Sequence, residues 1–204
     1  MTRVKICGLT RSEDVALCRE LGADYLGFNF SARSPRRVSE EAAAELRSAS
    51  NGACRVGVFV DEERDAVCRA IDALRLDLLQ FHREIAPEDF GYGLPVVAVR
   101  RVSGAVFPHE RALLDRCHAV LFDAAHPELA GGTGRTFDWS LLAGHRGAAP
   151  IGIAGGLTAD NVGAAIRTAR PFLVDVATGV ESSPGIKDPG RLRAFFAEVR
   201  RADG

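Results

Sequence analysis

Short apolar runs alternate along the chain with longer stretches of helical spacing. The runs occupy residues 4–7, 25–30, 55–60, 77–81, 95–99, 119–123, 150–154 and 172–177, and each has the length of a buried strand. Between them, Val15, Leu17, Cys18 and Leu21 form one apolar helical stripe, and Val67, Ala70, Ile71 and Leu74 form another. Thr10 or Ser12, Ser39, Asp61, Thr158 and Asp188 are the predicted N-caps. Two helices are predicted to be short: Pro87, Gly91 and Gly93 interrupt the fourth, and Gly131, Gly132 and Gly134 leave little room for the sixth. Strands alternating with helices imply a parallel sheet, and eight of them favour a closed (β/α)8 TIM barrel over an open doubly wound sheet. The 204 residues fit one small barrel domain spanning 1–204, near the lower size limit of that fold.

Composition narrows the function. A net charge of -1 without a basic block excludes nucleic acid as a partner. No apolar run approaches the roughly 18 residues that span a bilayer, which excludes a membrane. Arg3 and Lys5 interrupt any secretory apolar stretch at the start. Five cysteines without a C-x-x-C pair point to free thiols in a reducing cytoplasm.

Barrel enzymes work at the C-terminal ends of their strands. The strand-end residues predicted here are Cys7, Phe30, Val60, His82, Arg100, Asp123, Gly155 and Thr178. Two glycine-bearing turns, Gly155-Gly156 and Gly179-Val180, follow the last two runs. Glycine lets a backbone approach an anion, and the loops after strands 7 and 8 are the recurring phosphate site of barrels. A tight turn alone explains one such pair; two at these ends favour phosphate. A third segment, Gly131 to Gly134 with Arg135, lacks the ending of a P-loop and is read as a loop closing over ligand.

The reacting groups follow from the same rim. Cys7 shares a strand face with Lys5, whose charge favours a thiolate if that face is the barrel interior; otherwise Cys7 is a structural thiol. Asp123 ends an apolar strand, so it either caps a loop or, desolvated, retains a proton as a general acid. Asp175 lies between Val174 and Val176 and points inward, either lining the site or pairing with Lys5. His82 shares a face with Gln80, and the spacing of the other histidines gives no metal site. Arg36, fixed by Pro35, is either solvated or a bidentate grip on a carboxylate.

Several segments in order resemble phosphoribosylanthranilate isomerases. They are Lys5-Ile6-Cys7-Gly8-Leu9-Thr10, Gly27-Phe28-Asn29-Phe30 with Ser34-Pro35-Arg36, Val56-Gly57-Val58-Phe59-Val60, Gly131-Gly132-Thr133-Gly134-Arg135-Thr136-Phe137-Asp138-Trp139, Ala154-Gly155-Gly156-Leu157, and Gly179 through Asp188. The resemblance implies an Amadori rearrangement in tryptophan biosynthesis. It assigns Asp123 as general acid, Cys7 as general base and Arg36 as the carboxylate grip. His82 and Asp175 line the substrate site, and Gly155, Gly156, Gly179 and Val180 hold the phosphate. It implies no cofactor and no metal, a small phosphorylated substrate, and other tryptophan-pathway enzymes as partners. Three positions depart from the family's pattern: Arg83 replaces a small residue, Ala177-Thr178 replaces a serine pair, and Arg135 replaces lysine. A related histidine-pathway isomerase is the first alternative, against which Cys7 stands where that family carries aspartate. A non-catalytic phosphate-binding barrel is the second, against which both Cys7 and Asp123 are present.

Overall fold

The ladder that begins at β1 (Arg3–Ile6) returns to it from the other end of the chain. In the computed structural model, which describes residues 1–102, 111–124, 136–143 and 147–204, eight parallel strands close in sequence order. After β1 come β2 (Tyr25–Asn29), β3 (Cys54–Phe59), β4 (Leu78–Phe81), β5 (Val96–Val102), β6 (Ala119–Ala124), β7 (Ile151–Ile153) and β8 (Leu173–Val176). At the closing seam Lys5 lies opposite Asp175 and Ile6 opposite Val176. The expected TIM barrel is therefore the observed fold, with each predicted run on a strand.

Helices cover the outside: α1 (Ser12–Leu21), α2 (Glu40–Ala49), α3 (Arg64–Leu74), α4 (Arg111–Leu114), α5 (Val162–Ala169) and α6 (Pro189–Asp203). The two weak positions are 3-10 turns, Pro87–Tyr92 after β4 and Trp139–Leu142 after β6. Ser39 and Asp188 cap α2 and α6 as predicted, accepting from the N–H groups of Ala42 and Arg191. The other predicted caps are displaced. Arg11, Glu63 and Asn161 stand at the starts of α1, α3 and α5 without a side-chain cap bond. Thr158 instead donates its N–H to the Asn161 side chain, at 2.8 Å, in the turn before α5. After β8 the chain adds an antiparallel pair, β9 (Glu181–Ser183) and β10 (Ile186–Lys187), against the barrel's mouth. The loop of Gly131 to Gly134 and Arg135 lies outside the described residues.

Strand alternation divides the apolar residues into two sets. Ile6, Leu26, Phe28, Phe59, Leu79, Phe81, Phe122 and Val174 face the helices. Tyr25, Val56, Leu78, Val97, Val99, Leu121 and Leu173 fill the lumen. Among the described residues, no helix is long and apolar enough to cross a membrane.

The lumen layer is the floor on which the mouth residues rest. Leu121 is fully buried within it, so Leu121→Ala should cost about 3 kcal/mol, the usual scale for a buried leucine cavity. Urea unfolding checks this; a loss under about 1 kcal/mol would mean that the lumen relaxes into the space.

Candidate active site

The lumen face that is apolar at the floor becomes polar at the mouth. Alternation carries Lys5 and Cys7 of β1, Gln80 and His82 at β4, Arg101 of β5, Asp123 of β6 and Asp175 of β8 onto that face. Lys5 is 1% exposed and Asp175 7%. The Lys5 ammonium donates to both carboxylate oxygens, at 3.1 and 3.0 Å. Burial works against that ammonium, but Asp175 and Cys7 outweigh it and hold its pKa above the ordinary lysine value. Of the two readings of Asp175, the ion pair is the one observed.

Cys7 continues the β1 face one step nearer the mouth. Burial pushes its thiol up, Asp175 adds to this, and Lys5 and Lys187 pull it down without cancelling the rise. Lys5 alone therefore does not deliver a thiolate, because Asp175 has taken most of its charge. Gly27, the neighbour on β2, makes the space. A Cβ there would lie 3.0 Å from Lys5 Nζ and 3.1 Å from Cys7 Sγ.

Asp123 closes the opposite side. Burial, followed by the charge of Asp175, lifts its pKa to about 6, against the pull of the Ala124 backbone, Arg101 and Lys5. Gly155 sits against it, with φ +82 and a virtual Cβ only 2.6 Å from Asp123 Oδ1. Any side chain there would be strained and would strike the carboxyl. The phosphate-type turn after β7 thus directly abuts the acid. The second turn, Thr178–Val180, packs on the first. A Cβ at Gly179 would collide with the Leu157 carbonyl oxygen. Gly156 is held through its carbonyl, which accepts from Asn161 Nδ2 at 2.9 Å. Val180 already donates its N–H to the Ala177 carbonyl at 3.3 Å, so it shapes this turn.

His82 meets the Gln80 amide at 2.8 Å. Burial, then Lys5 and Arg101, lower its pKa to about 4, so at neutral pH it is an uncharged imidazole. Arg36 is not a solvated loop residue. Its Nε donates to Glu181 at 2.9 Å and its Nη2 at 2.6 Å, with a longer bond to Thr178 Oγ1 at 3.3 Å. Arg83, the departure after β4, turns away from the mouth. It forms a forked pair with Asp89 at 2.7 and 2.6 Å and lies over the Phe81 ring.

The structure also corrects one strand end. Arg100 was expected at the mouth, but β5 runs on to Val102. Arg100 shares its parity with the outward-facing Ala98 and Val102 and lies 4.0 Å from Glu84, whereas Arg101 stands opposite Asp123 on the lumen face. Sequence reading also passed over Gly27, Glu181 and Lys187 as site residues. A glycine inside a strand signals close approach; nothing local marks the other two.

The electrostatics of Asp123 have a sign that can be measured. An exposed aspartate titrates near about 3.9, and in the fold the value is about 6. The folded chain therefore binds the extra proton, and stability falls as pH rises from about 4 through about 6. Asp123→Asn, which cannot ionise, should be more stable than the parent chain by about 2–3 kcal/mol near about pH 8 and by much less near about pH 4. Urea unfolding at both values reads this. An equal difference at both would show that Asp123 ionises without cost.

Comparison with known proteins bears on this arrangement as a whole. Residues 4–198 match the family model described as N-(5'phosphoribosyl)anthranilate (PRA) isomerase. The N-(5'-phosphoribosyl)anthranilate isomerase of Chromohalobacter salexigens is 43% identical over 201 residues, covering 97% of this chain and 94% of that protein. The crystal structure of the Thermotoga maritima isomerase is similar with a TM-score of 0.88 at 37% identity, over 98% of this chain and 100% of that one. Another structure of the enzyme contains reduced 1-(o-carboxyphenylamino)-1-deoxyribulose 5-phosphate. It is similar with a TM-score of 0.84 at 35% identity, over 98% of this chain and 100% of its own. With the barrel, its polar mouth and nearly its whole length matched, the chain belongs to the N-(5'-phosphoribosyl)anthranilate isomerase family.

Proposed function

We propose that Asp123 and Cys7 perform the family's reaction as general acid and general base. The chain is an isomerase of tryptophan biosynthesis, converting N-(5-phosphoribosyl)anthranilate to 1-(2-carboxyphenylamino)-1-deoxy-D-ribulose 5-phosphate. The observation that carries the assignment of roles is the position of Asp123. It is a desolvated carboxyl pressed against the Gly155 turn, across the mouth from the Cys7 thiol. Phosphate held by the backbone of Gly155-Gly156 and of the turn at Gly179 fixes one end of the substrate. Val180 contributes by shaping that turn. Arg36, oriented by Glu181, meets the anthranilate carboxylate at the other end.

In this reading Asp123 gives its proton to the furanose ring oxygen as the ring C–O bond breaks, and the nitrogen lone pair forms the Schiff base. The Cys7 thiolate then removes the C2 proton, and the electrons move toward nitrogen to leave an enolamine, which tautomerises to the ketone. Lys5 and Asp175 form the neutral wall beside the base, and His82 offers an uncharged imidazole to the sugar hydroxyls. Proton transfer alone suffices for these steps.

The required state has Asp123 protonated and Cys7 ionised. With one group near about 6 and the other above the ordinary thiol value, most singly protonated molecules hold the proton on sulfur. A constant minority holds it on Asp123. Activity is then level between the two titrations and falls on either side.

Cys7→Ala and Asp123→Asn should each lower kcat at least ~10²-fold, the usual contribution of a general acid or base. Loss of phosphoribosylanthranilate fluorescence in a folded sample reads the rate, and near-parental turnover in either variant would falsify its assigned role. Arg36→Ala should raise KM by tenfold or more, on the order of one lost charged contact of about 1.5–3 kcal/mol, with a smaller change in kcat. An unchanged KM would remove Arg36 from the carboxylate end.

A further inference from the structure

Glu181 is buried between two cations. Both its oxygens accept from Arg36, and Oε1 also accepts from Lys187 Nζ at 2.9 Å. Burial works against the carboxylate, but Arg36 and Lys187 outweigh it and hold its pKa below the ordinary glutamate value. Lys187 is itself buried and donates twice more. It reaches the Cys7 carbonyl at 2.6 Å and the Ala177 carbonyl at 3.4 Å. The first carbonyl belongs to the base, and the second opens the Thr178–Val180 turn. The Lys187 N–H is pinned in turn by Asp14 of α1 at 3.0 Å.

An apolar side chain would fill this position without the cost of desolvating an ammonium. The charges do not cancel, either. Arg36 and Lys187 face Glu181, whereas Lys5 and Asp175 neutralise each other. One positive charge is left over beside the thiol.

We propose that Lys187 is a positioning residue for the isomerisation, joining the carboxylate grip, the base and the phosphate turn into one unit whose surplus positive charge favours the Cys7 thiolate. This rests on the reading of Cys7 as base. The groups facing the thiol are Lys5 on β1, Asp175 on β8, Lys187 on β10 and Arg36 on the loop after β2, with Glu181 and Asp14 flanking Lys187. Asp175 blunts Lys5, so Lys187 is the cation whose removal shifts the balance most per charge lost.

The test uses the full chain with Lys187→Met, Lys187→Arg and Glu181→Gln. Two quantities are followed with pH: the ultraviolet thiolate absorbance of Cys7, obtained by difference from matching Cys7→Ala proteins, and kcat/KM. In Lys187→Met the Cys7 titration should move up by about one pH unit and the level part of kcat/KM should fall about tenfold. Lys187→Arg should restore most of both. Glu181→Gln should move the titration down and raise KM, because Arg36 loses its anchor. A role in folding alone predicts no opposite movement. Unchanged titrations, or titrations moving the same way in Lys187→Met and Glu181→Gln, would overturn the proposal. If Lys187→Met does not fold, the direction in Glu181→Gln and the retention of charge in Lys187→Arg decide it. Should the thiol titration move while the rate profile stays fixed, the link from Lys187 to Cys7 stands and Cys7 loses its place as base.

Discussion

The Lys5–Asp175 pair sits where the first strand meets the last, inside the barrel and just below its mouth. Two full charges in a lumen otherwise packed with Tyr25, Val56, Leu78, Val97, Leu121 and Leu173 are tolerable only because each satisfies the other. The pair therefore needs the closed seam. The seam in turn sets the heights of Cys7 above Lys5 and of the Ala177 carbonyl above Asp175. Everything at the mouth is measured from that junction. It also explains why Lys5, adjacent to the thiol on the same face, does little for it: an ammonium already matched by a carboxylate projects little field.

Two carboxyl groups at one mouth are pushed in opposite directions. Asp123 is buried with Asp175 for company and retains a proton to about pH 6. Glu181, also buried, is bracketed by Arg36 and Lys187 and stays ionised. Residue type does not separate them; surroundings do, and the division into a proton donor and a fixed counter-charge follows from that. The same holds for His82, which is neutral because it is enclosed near Lys5 and Arg101.

The strands and their order were legible because a buried parallel strand leaves a short apolar run bounded by polar turns. Cys7, His82, Asp123 and Asp175 were legible as lumen residues because alternation has only two phases. That same two-phase logic explains the error at β5. Ending the strand near Val99 placed Arg100 at the mouth, whereas two more residues of strand bring Arg101 there. Helix caps were harder to read. Asp61 and Thr158 have capping side chains, but loop geometry starts the helices later, at Arg64 and Val162. The network of Arg36, Glu181 and Lys187 carries no local trace, since Arg36 and Glu181 lie 145 positions apart. Only closure of the barrel makes them neighbours.

A sheet whose last strand returns to its first has no unpaired margin in the barrel. Open sheets offer such margins to other chains, and edge-to-edge pairing is a common route to aggregation. Here an incoming strand would first have to part β1 from β8. Parting them would leave the Lys5 ammonium and the Asp175 carboxylate stranded in an apolar lumen. The seam that sets the geometry of the mouth thus also acts as a guard against association.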